Sequence, residues 1–415
     1  MKLFIPRILI TAFATAALTL TVQAQYQYKE TTLYTFGGQK DVYQPVRNLL
    51  ADQQGNFYGA STYGGGGCSG KGCGTVFELS PGSGGGWTET ILYAFTGKDD
   101  GEYPIGNILM DANGNIFGTT GFGGTSGAGV AWELSPSATG WTQTVLYTFT
   151  GQADGGFPSG LTFDANGNLF GTATQGGANT WGAIFELSPG SSGWTESVLY
   201  SFTDGNDGGE PYGGVAIDAN GRLYGAAEVG GSTTSCQQGC GTVYRLSPSS
   251  TGWRFSRLYA FQGPGGETPF GGLALDAAGN VYGTTRAGGH NYGVVFELSP
   301  TSSGGWKETL LHDFTNGTDG ADPSNSVMFD SEGNLYGATD GTASNAPNTI
   351  FRLRPGTGGW VFSVIYTFPS ANTGTAAQTP SVFDSAGNLY GVALTAGRAQ
   401  GSVYELTPPS KGTTN

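Results

Sequence analysis

Asp164-Ala165-Asn166-Gly167-Asn168-Leu169-Phe170-Gly171 reads D-x-x-G-N-apolar-aromatic-G, and the chain repeats it. Copies start at Asp52, Asp111, Asp164, Asp218, Asp276, Asp330 and Asp384, and the Asn gives way only at Arg222. Self-similarity at a period of about 50 residues overrides what length alone would suggest about domain count. Around the third copy, residues 160–164, 168–174, 182–187 and 194–202 alternate polar and apolar and are rich in aromatic and β-branched residues. Gly, Pro, Ser and Asn clusters separate them. These are four short strands, here a, b, c and d, and no window carries a helical apolar period. Four strands per repeat is the signature of a propeller blade.

The ends of the chain decide between a ring and an open array. Strand d recurs at residues 31–36, 88–95, 142–149, 195–202, 255–261, 307–314 and 362–368, while the last unit, 380–406, holds a, b and c with no d after it. Seven d strands and seven a-b-c units are therefore offset by one. A closed all-β, seven-bladed β-propeller resolves this, with the N-terminal strand completing the last blade and leaving no open sheet edge. A β-solenoid is the alternative, but it gives no reason for the offset.

Composition bounds the setting. Among 415 residues Gly numbers 75, yet aromatics reach 13%. That aromatic content opposes disorder, so glycine here punctuates turns. Residues 1–24 read as a signal peptide: Lys2 and Arg7 precede an apolar run over 8–20, and Val22-Gln23-Ala24 offers a small-residue cleavage site. A membrane anchor is the alternative, for which the run is short. The expected layout is a leader to residue 24, a propeller over 25–408 and a short polar tail over 409–415, secreted or periplasmic and monomeric, with no membrane span after cleavage. A net charge of −14 repels phosphate backbones and makes nucleic acid a poor partner.

Anchor-to-anchor steps of 59, 53, 54, 58, 54 and 54 residues separate Asp52, Asp111, Asp164, Asp218, Asp276, Asp330 and Asp384. The two long steps are those that carry Cys68 with Cys73 and Cys236 with Cys240. Two local disulfides closing b–c loop insertions are expected in an oxidising compartment. A shared zinc site would require two pairs three repeats apart to meet.

Several repeated residues have structural readings. The Asp of D-x-x-G-N caps its own turn, since each copy lacks the acid ladder of a calcium loop. Trp87, Trp141, Trp194, Trp253, Trp306 and Trp360 open strand d and read as staples between blades in preference to sugar platforms. Strand-c acids such as Glu78 and Glu186 give way to Arg245 and Arg352, which suits solvated or cross-blade pairing.

Propeller geometry puts the b–c and d–a connections on one face, and variable loops on a rigid scaffold usually carry function. The d–a loops hold Asp41, Asp100, Asp154, Asp207 and Asp319 five residues after the closing Phe of strand d, with Gly266 and Thr373 at that place in the other two copies. Four of these Asp precede Gly, so solvated Asp-Gly turns compete with an acidic rim that binds a polar ligand or a divalent cation such as calcium. Trp181, Arg286, His290 and Tyr292 are the b–c loop candidates for ligand binding. Only two histidines exist, and His312 stands where strand d otherwise has Tyr, which suggests a structural role. No metalloprotease, nucleophile-elbow or Cys-His motif is present.

The unit D-x-x-G-N-L-[YF]-G with G-T-V-F-E-L-S-P and the following G-W strand resembles the Gloeo/Verruco (GloVer) tandem-repeat family over residues 28–408. That resemblance implies an exported bacterial protein of no established activity, often with a C-terminal sorting anchor, which this sequence lacks. The turn is more distantly similar to NHL-type and virginiamycin lyase-like propellers. The lyase-like resemblance implies a catalytic His in the central funnel, where His290 alone is on the right face. The leading expectation is a non-catalytic binding module for carbohydrate or a secreted or envelope protein, with no cofactor. A lyase or glycoside hydrolase using rim carboxylates and a structural envelope protein are the rivals.

Overall fold

The computed structural model describes residues 27–38, 41–231, 236–341, 346–369, 375–377, 380–395 and 401–409. The expected leader with Ala24, Thr373 and positions 410–415 of the tail lie outside the described residues. Seven antiparallel sheets form a ring, a seven-bladed β-propeller, and the one helical element described is a single 3-10 turn at Cys68–Gly70. Blade one consists of Val42–Ala51, Phe57–Gly64, Thr75–Pro81 and Trp87–Ala94, paired in chain order as strands a to d. Blades two to six repeat this order.

The seventh blade is completed by the N-terminus. Lys29–Thr35 pairs antiparallel with Gly401–Thr407, with Thr31 opposite Glu405. Leu389–Thr395 follows, and its far edge carries a broken strand a, Thr375–Ala377 and Val382–Phe383. The backbone N–H of Tyr28 also bonds the Ile365 carbonyl of blade six at 2.8 Å. The two chain ends thus hold the ring shut, as the offset of repeats requires.

The core lies between neighbouring blades. The Phe that closes each strand d, such as Phe36, Phe95, Phe149 and Phe202, is almost wholly buried. Its ring meets an aromatic of the next blade's strand c: Phe36 against Phe77 at 4.9 Å, Phe149 against Phe185 at 4.9 Å, Phe202 against Tyr244 at 5.1 Å. The tryptophans reach back across the same boundary, Trp141 to Tyr58 and Trp253 to Phe170, with ring centres 6.4 and 5.7 Å apart. They are inter-blade staples, and such edge-to-face pairs add to simple area burial. The last Gly of D-x-x-G-N-L-[YF]-G makes room for the strand-c aromatic: a Cβ on Gly59 would lie 2.3 Å from the Phe77 ring.

Strands depart from the expected bounds in two ways. Strand d begins earlier than expected, at Gly193 in blade three, because Gly190 and Gly193 already pair across the c–d turn. Strand a spans 8 to 10 residues in blades one to three but only two in blades four to six, at Ala216–Ile217, Ala274–Leu275 and Met328–Phe329. There the hub backbones close in on one another, so that a Cβ on Gly213 would lie 2.5 Å from the Gly271 carbonyl. Side chains stitch the hub where strands a meet. Asn48 binds both the N–H and the C=O of Ile108, and Asn107 does the same for Leu161.

Candidate functional site

The D-x-x-G-N turns behave as capped turns. Oδ1 of each anchor Asp accepts the N–H groups two and four residues on; Asp164 takes Asn166 and Asn168 at 2.8 and 2.9 Å. Oδ2 takes the Asn168 amide at 2.9 Å, and at Asp218 the Arg222 guanidinium replaces it at 2.6 Å. Burial pushes the Asp164 carboxyl up, but these bonds outweigh it and hold it below the ordinary range.

The opposite face carries the variable loops. In blades one to five the b–c loop is tied to the preceding d–a loop by backbone bonds, such as Gly65 N–H to Asp41 C=O and Gly177 N–H to Gln152 C=O. The rim aspartates face their own turns. Asp100 accepts the Tyr93 hydroxyl, the Thr96 N–H and the Thr96 hydroxyl at 2.9, 2.8 and 2.6 Å. Asp154, only 9% exposed, and Asp207 hold the same three groups of their repeats. Asp319 accepts from Thr315 and lies 3.1 Å from His312 Nε2, so His312 does the work of the usual Tyr. Asp41 accepts the Gly37 N–H at 2.9 Å.

Two of these rim acids meet a second carboxyl from the next strand d. Burial, then the hydrogen bond that the protonated Glu89 carboxyl donates to Asp41, pushes Glu89 up to about 8. Burial, then the Asp154 charge, pushes Glu196 up to about 7. Among the described residues no group of three His, Cys, Asp or Glu side chains is arranged to hold a metal ion.

Both cysteine pairs are bonded, with Cα atoms 5.2 Å apart in each. Their role follows from the next blade. An X-Pro pair lies near the start of strand a in blades one to three and a few residues before it in blades four to six. In blades two to six the N–H of X binds the carbonyl that ends the preceding b–c loop. Tyr103 binds Cys73, Phe157 binds Ala128, Glu210 binds Trp181, Thr268 binds Cys240 and Asp322 binds Tyr292, at 2.8 to 3.0 Å. Trp181 and Tyr292 are therefore half-buried loop ends that position the next blade. His290 is exposed, and its Nδ1 lies 2.7 Å from Asp313 at the end of the outermost strand, away from the hub.

The X residues form a ring around the mouth of the hub. Gln44, Tyr103, Phe157, Glu210, Thr268 and Asp322 have φ between 54° and 62°. A residue before Pro normally favours extended backbone, and positive φ is uncommon for a side-chain-bearing residue. The fixed Pro and the carbonyl bond impose it here and turn these side chains along the mouth.

An arc of aromatics results. Tyr43, Tyr63 and Tyr103 follow each other at 5.7 and 4.9 Å between ring centres. Phe122 lies 6.0 Å from Tyr103 and 5.2 Å from Phe157, and is 44% exposed. Tyr212 lies 6.2 Å from Phe157 and stacks on Phe270 at 4.1 Å. Among the described residues three cations touch the arc, and the Lys71 ammonium lies 5.3 Å from the Tyr63 ring centre. The Arg286 guanidinium sits 5.2 Å from the Phe270 ring centre, with Nε 3.1 Å from Asp322. Arg47 comes from blade one and ends 4.7 Å from the Tyr212 ring centre, on the far side of the hub.

Acids surround Arg286. Burial and then Glu210 raise the Glu228 carboxyl, and burial raises Asp322 against the lowering pull of Arg286. Glu228, Arg286 and Asp340 occupy one repeat position, just past strand b, where other copies have Thr62, Gly121 and Thr174. Of the sequence candidates, only Arg286 contributes its side chain to this mouth. Glu210, Glu228, Asp322, Asp340 and Arg47 were missed, although their departure from the repeat was visible. Behind Arg47 a cavity of about 320 Å³ runs along the hub.

A crystal structure assigned provisionally as a gluconolactonase is similar, with 14% identity, a TM-score of 0.43, and coverage of 75% of this chain and 90% of that one. No curated protein matches the chain. The Gloeobacter/Verrucomicrobia repeat model matches residues 66–237 and 232–415, and the protein belongs to that family.

Proposed function

We propose that this protein is an exported, non-catalytic propeller that binds carbohydrate at the mouth of its hub. The observation that carries the reading is the arc of partly exposed rings from Tyr43 to Phe270 on the variable-loop face. Aromatic faces stack on the C–H faces of sugars, and a pre-formed concave site with few polar groups is how small ligands are usually held. The two disulfides and the exported-repeat family support an extracellular setting. In this reading the rim aspartates shape the loops, and the rings and Arg286 meet the ligand.

Affinity electrophoresis against a panel of soluble polysaccharides tests this, using Phe122→Ala and Tyr63→Ala at positions with room to lose a ring. Retardation by at least one glycan, weakened about tenfold in each variant, is expected. Retardation that both variants leave unchanged would move the site elsewhere. A lyase or hydrolase reading draws on one observation, the raised carboxyl of Glu228 beside Glu210. Turnover of a polysaccharide or lactone that disappears in Glu228→Gln would replace the binding reading.

A further inference from the structure

We infer that the hub cavity receives an oxyanion, with Arg47 as its clamp, and that the bound carbohydrate is therefore an acidic one bearing a carboxylate. The inference rests on the carbohydrate reading for the nature of the ligand, and on Arg47 for its charge.

The lining of the cavity sets it apart from the rest of the chain. The protein has a net charge of −14 and 31 acidic residues, yet among the described residues no carboxylate lines this space and Arg47 is its one charged group. Asn48 and Asn107 also line it, but their amides are committed to the backbone of Ile108 and Leu161. The Thr162 hydroxyl is given to the Val215 C=O, and Asn325, Ser326 and Ser381 bring only neutral groups, so Arg47 is the cationic donor among the described residues. Among the described residues no carboxylate lies within ion-pair distance of it. Of the other cations on the arc, Arg286 is already paired with Asp322, and Lys71 sits at Tyr63 and does not line the cavity.

The backbone at Arg47 points the same way. The equivalent hub position is Gly106 in blade two and Gly160 in blade three, at φ 78° and 66°. Arg47 adopts φ 40° at a place where blades two and three use the residue without a side chain, and where blade six has Asn325. Strain of that kind tends to mark functional sites. The side chain it installs crosses the hub and brings its guanidinium carbon over the Tyr212 and Phe270 rings, 4.7 and 5.7 Å from their centres. A guanidinium held by ring faces keeps its edge N–H groups free, and that edge is the fork that matches a carboxylate. A volume of about 320 Å³ suits one sugar ring entering end-on.

Isothermal titration with D-galacturonate, D-galactose and citrate, each to about 10 mM, tests the inference on the whole chain. The variants are Arg47→Gly, which installs the sister-repeat residue, and Arg47→Gln, which keeps the length of the side chain if the first fails to fold. The expected result is galacturonate binding at least tenfold tighter than galactose, weakened by salt, with the difference lost in either variant. Equal binding of both sugars that ignores Arg47 would overturn the oxyanion clamp and leave the carbohydrate reading standing. Arg47-dependent binding of citrate with neither sugar bound would keep the clamp and overturn the carbohydrate reading. No heat from any of the three would overturn both.

Discussion

The Arg47 guanidinium of blade one lies 4.7 Å from the ring centre of Tyr212 in blade four, so one side chain spans the hub. Two opposed effects meet at this residue. Its left-handed backbone, at φ 40°, costs roughly 1–3 kcal/mol. The cation–ring contact returns about 0.5–2 kcal/mol. Arg47→Gly removes both, and the extra freedom of glycine in the unfolded chain costs under about 1 kcal/mol. Chemical denaturation should therefore find the variant within about 2 kcal/mol of the parent. A much larger loss would make Arg47 a structural keystone of the ring.

Closure by the N-terminal strand predicts a specific mode of failure. Phe36 is 1% exposed and packs on Phe77 at the junction of blades seven and one. Phe36→Ala should cost about 3–5 kcal/mol, as other large-to-small core changes do. Phe149→Ala, at the equivalent place between blades two and three, should cost a similar amount. Only Phe36→Ala should expose residues 29–35 to protease, because that strand alone is joined to its blade through chain ends far apart in sequence. Equal protection of residues 29–35 in both variants would argue against this account of closure.

The ring was legible because its determinants are local and repeated. Asp164 caps a turn with groups two and four residues away, so seven copies of one short pattern announce seven identical turns. The lone departure, Arg222, keeps the same bond by other means, with Nε at 2.6 Å from Asp218. The missing strand d at the end of the chain likewise pointed directly to the pairing of Thr31 with Glu405. The mouth was not legible in that way. Glu210 faces it because its φ is 55°, a conformation that an X-Pro sequence argues against. That conformation depends on the Trp181 carbonyl from the preceding blade. Arg47 was hidden for a similar reason, since its partners Tyr212 and Phe270 lie across the ring. The rim aspartates attracted notice through regular spacing, which here reports a repeated turn.

The carboxyl pairs at two blade junctions give stability an acid-favouring slope. Glu89 is raised to about 8 by burial and by Asp41, and Glu196 to about 7 by burial and by Asp154. Each folded-state value lies above the unfolded value of about 4.3. The native state thus holds more protons than the unfolded chain between those values. The associated stability is fully present below about pH 4.3 and is lost as pH rises through 7 to 8. Glu89→Gln with Glu196→Gln should match the parent's melting temperature near pH 4.5 and exceed it at pH 8.5. Calcium, the divalent cation expected from the sequence, would compete with protons for these pairs. A parent melting temperature that rises with millimolar calcium at pH 8.5, and a variant that does not respond, would show that they hold a cation there.

His312 predicts the opposite slope. Burial lowers its imidazole below the ordinary value, against the raising pull of Asp319. Its ring stacks on Phe362 with centres 3.5 Å apart, which leaves little water to stabilise a charge. The unfolded chain therefore binds the proton more readily, and stability contributed here is present above about pH 6.5 and falls as pH drops below it. His312→Tyr restores the residue that three other repeats use against their rim Asp, Tyr93 with Asp100, Tyr147 with Asp154 and Tyr200 with Asp207. The difference in melting temperature between variant and parent should widen from pH 7 to pH 5.5. A constant difference over that range would show that His312 does not titrate against folding.

The disulfides should be felt in the blade that follows each of them. The Cys73 carbonyl accepts the Tyr103 N–H at 2.8 Å, and the Cys240 carbonyl accepts the Thr268 N–H at 3.0 Å. Both acceptors end loops closed by a bond between residues only 5 and 4 positions apart. A loop that short stabilises by about 2 kcal/mol in the chain-entropy model, small beside the cohesion of a seven-bladed ring. Reduction should therefore leave global unfolding nearly unchanged and loosen the loops. The sensitive readout is amide exchange, which reports local opening. The Tyr103 and Thr268 amides should exchange up to about 30-fold faster after reduction, the equivalent of that energy. Phe157 and Asp322 provide internal controls, since their amides bind Ala128 and Tyr292 at 2.9 Å in loops that hold no cysteine. Uniform acceleration at all four amides would mean that reduction loosens the whole ring, and that the cysteine pairs brace the fold as well as the mouth.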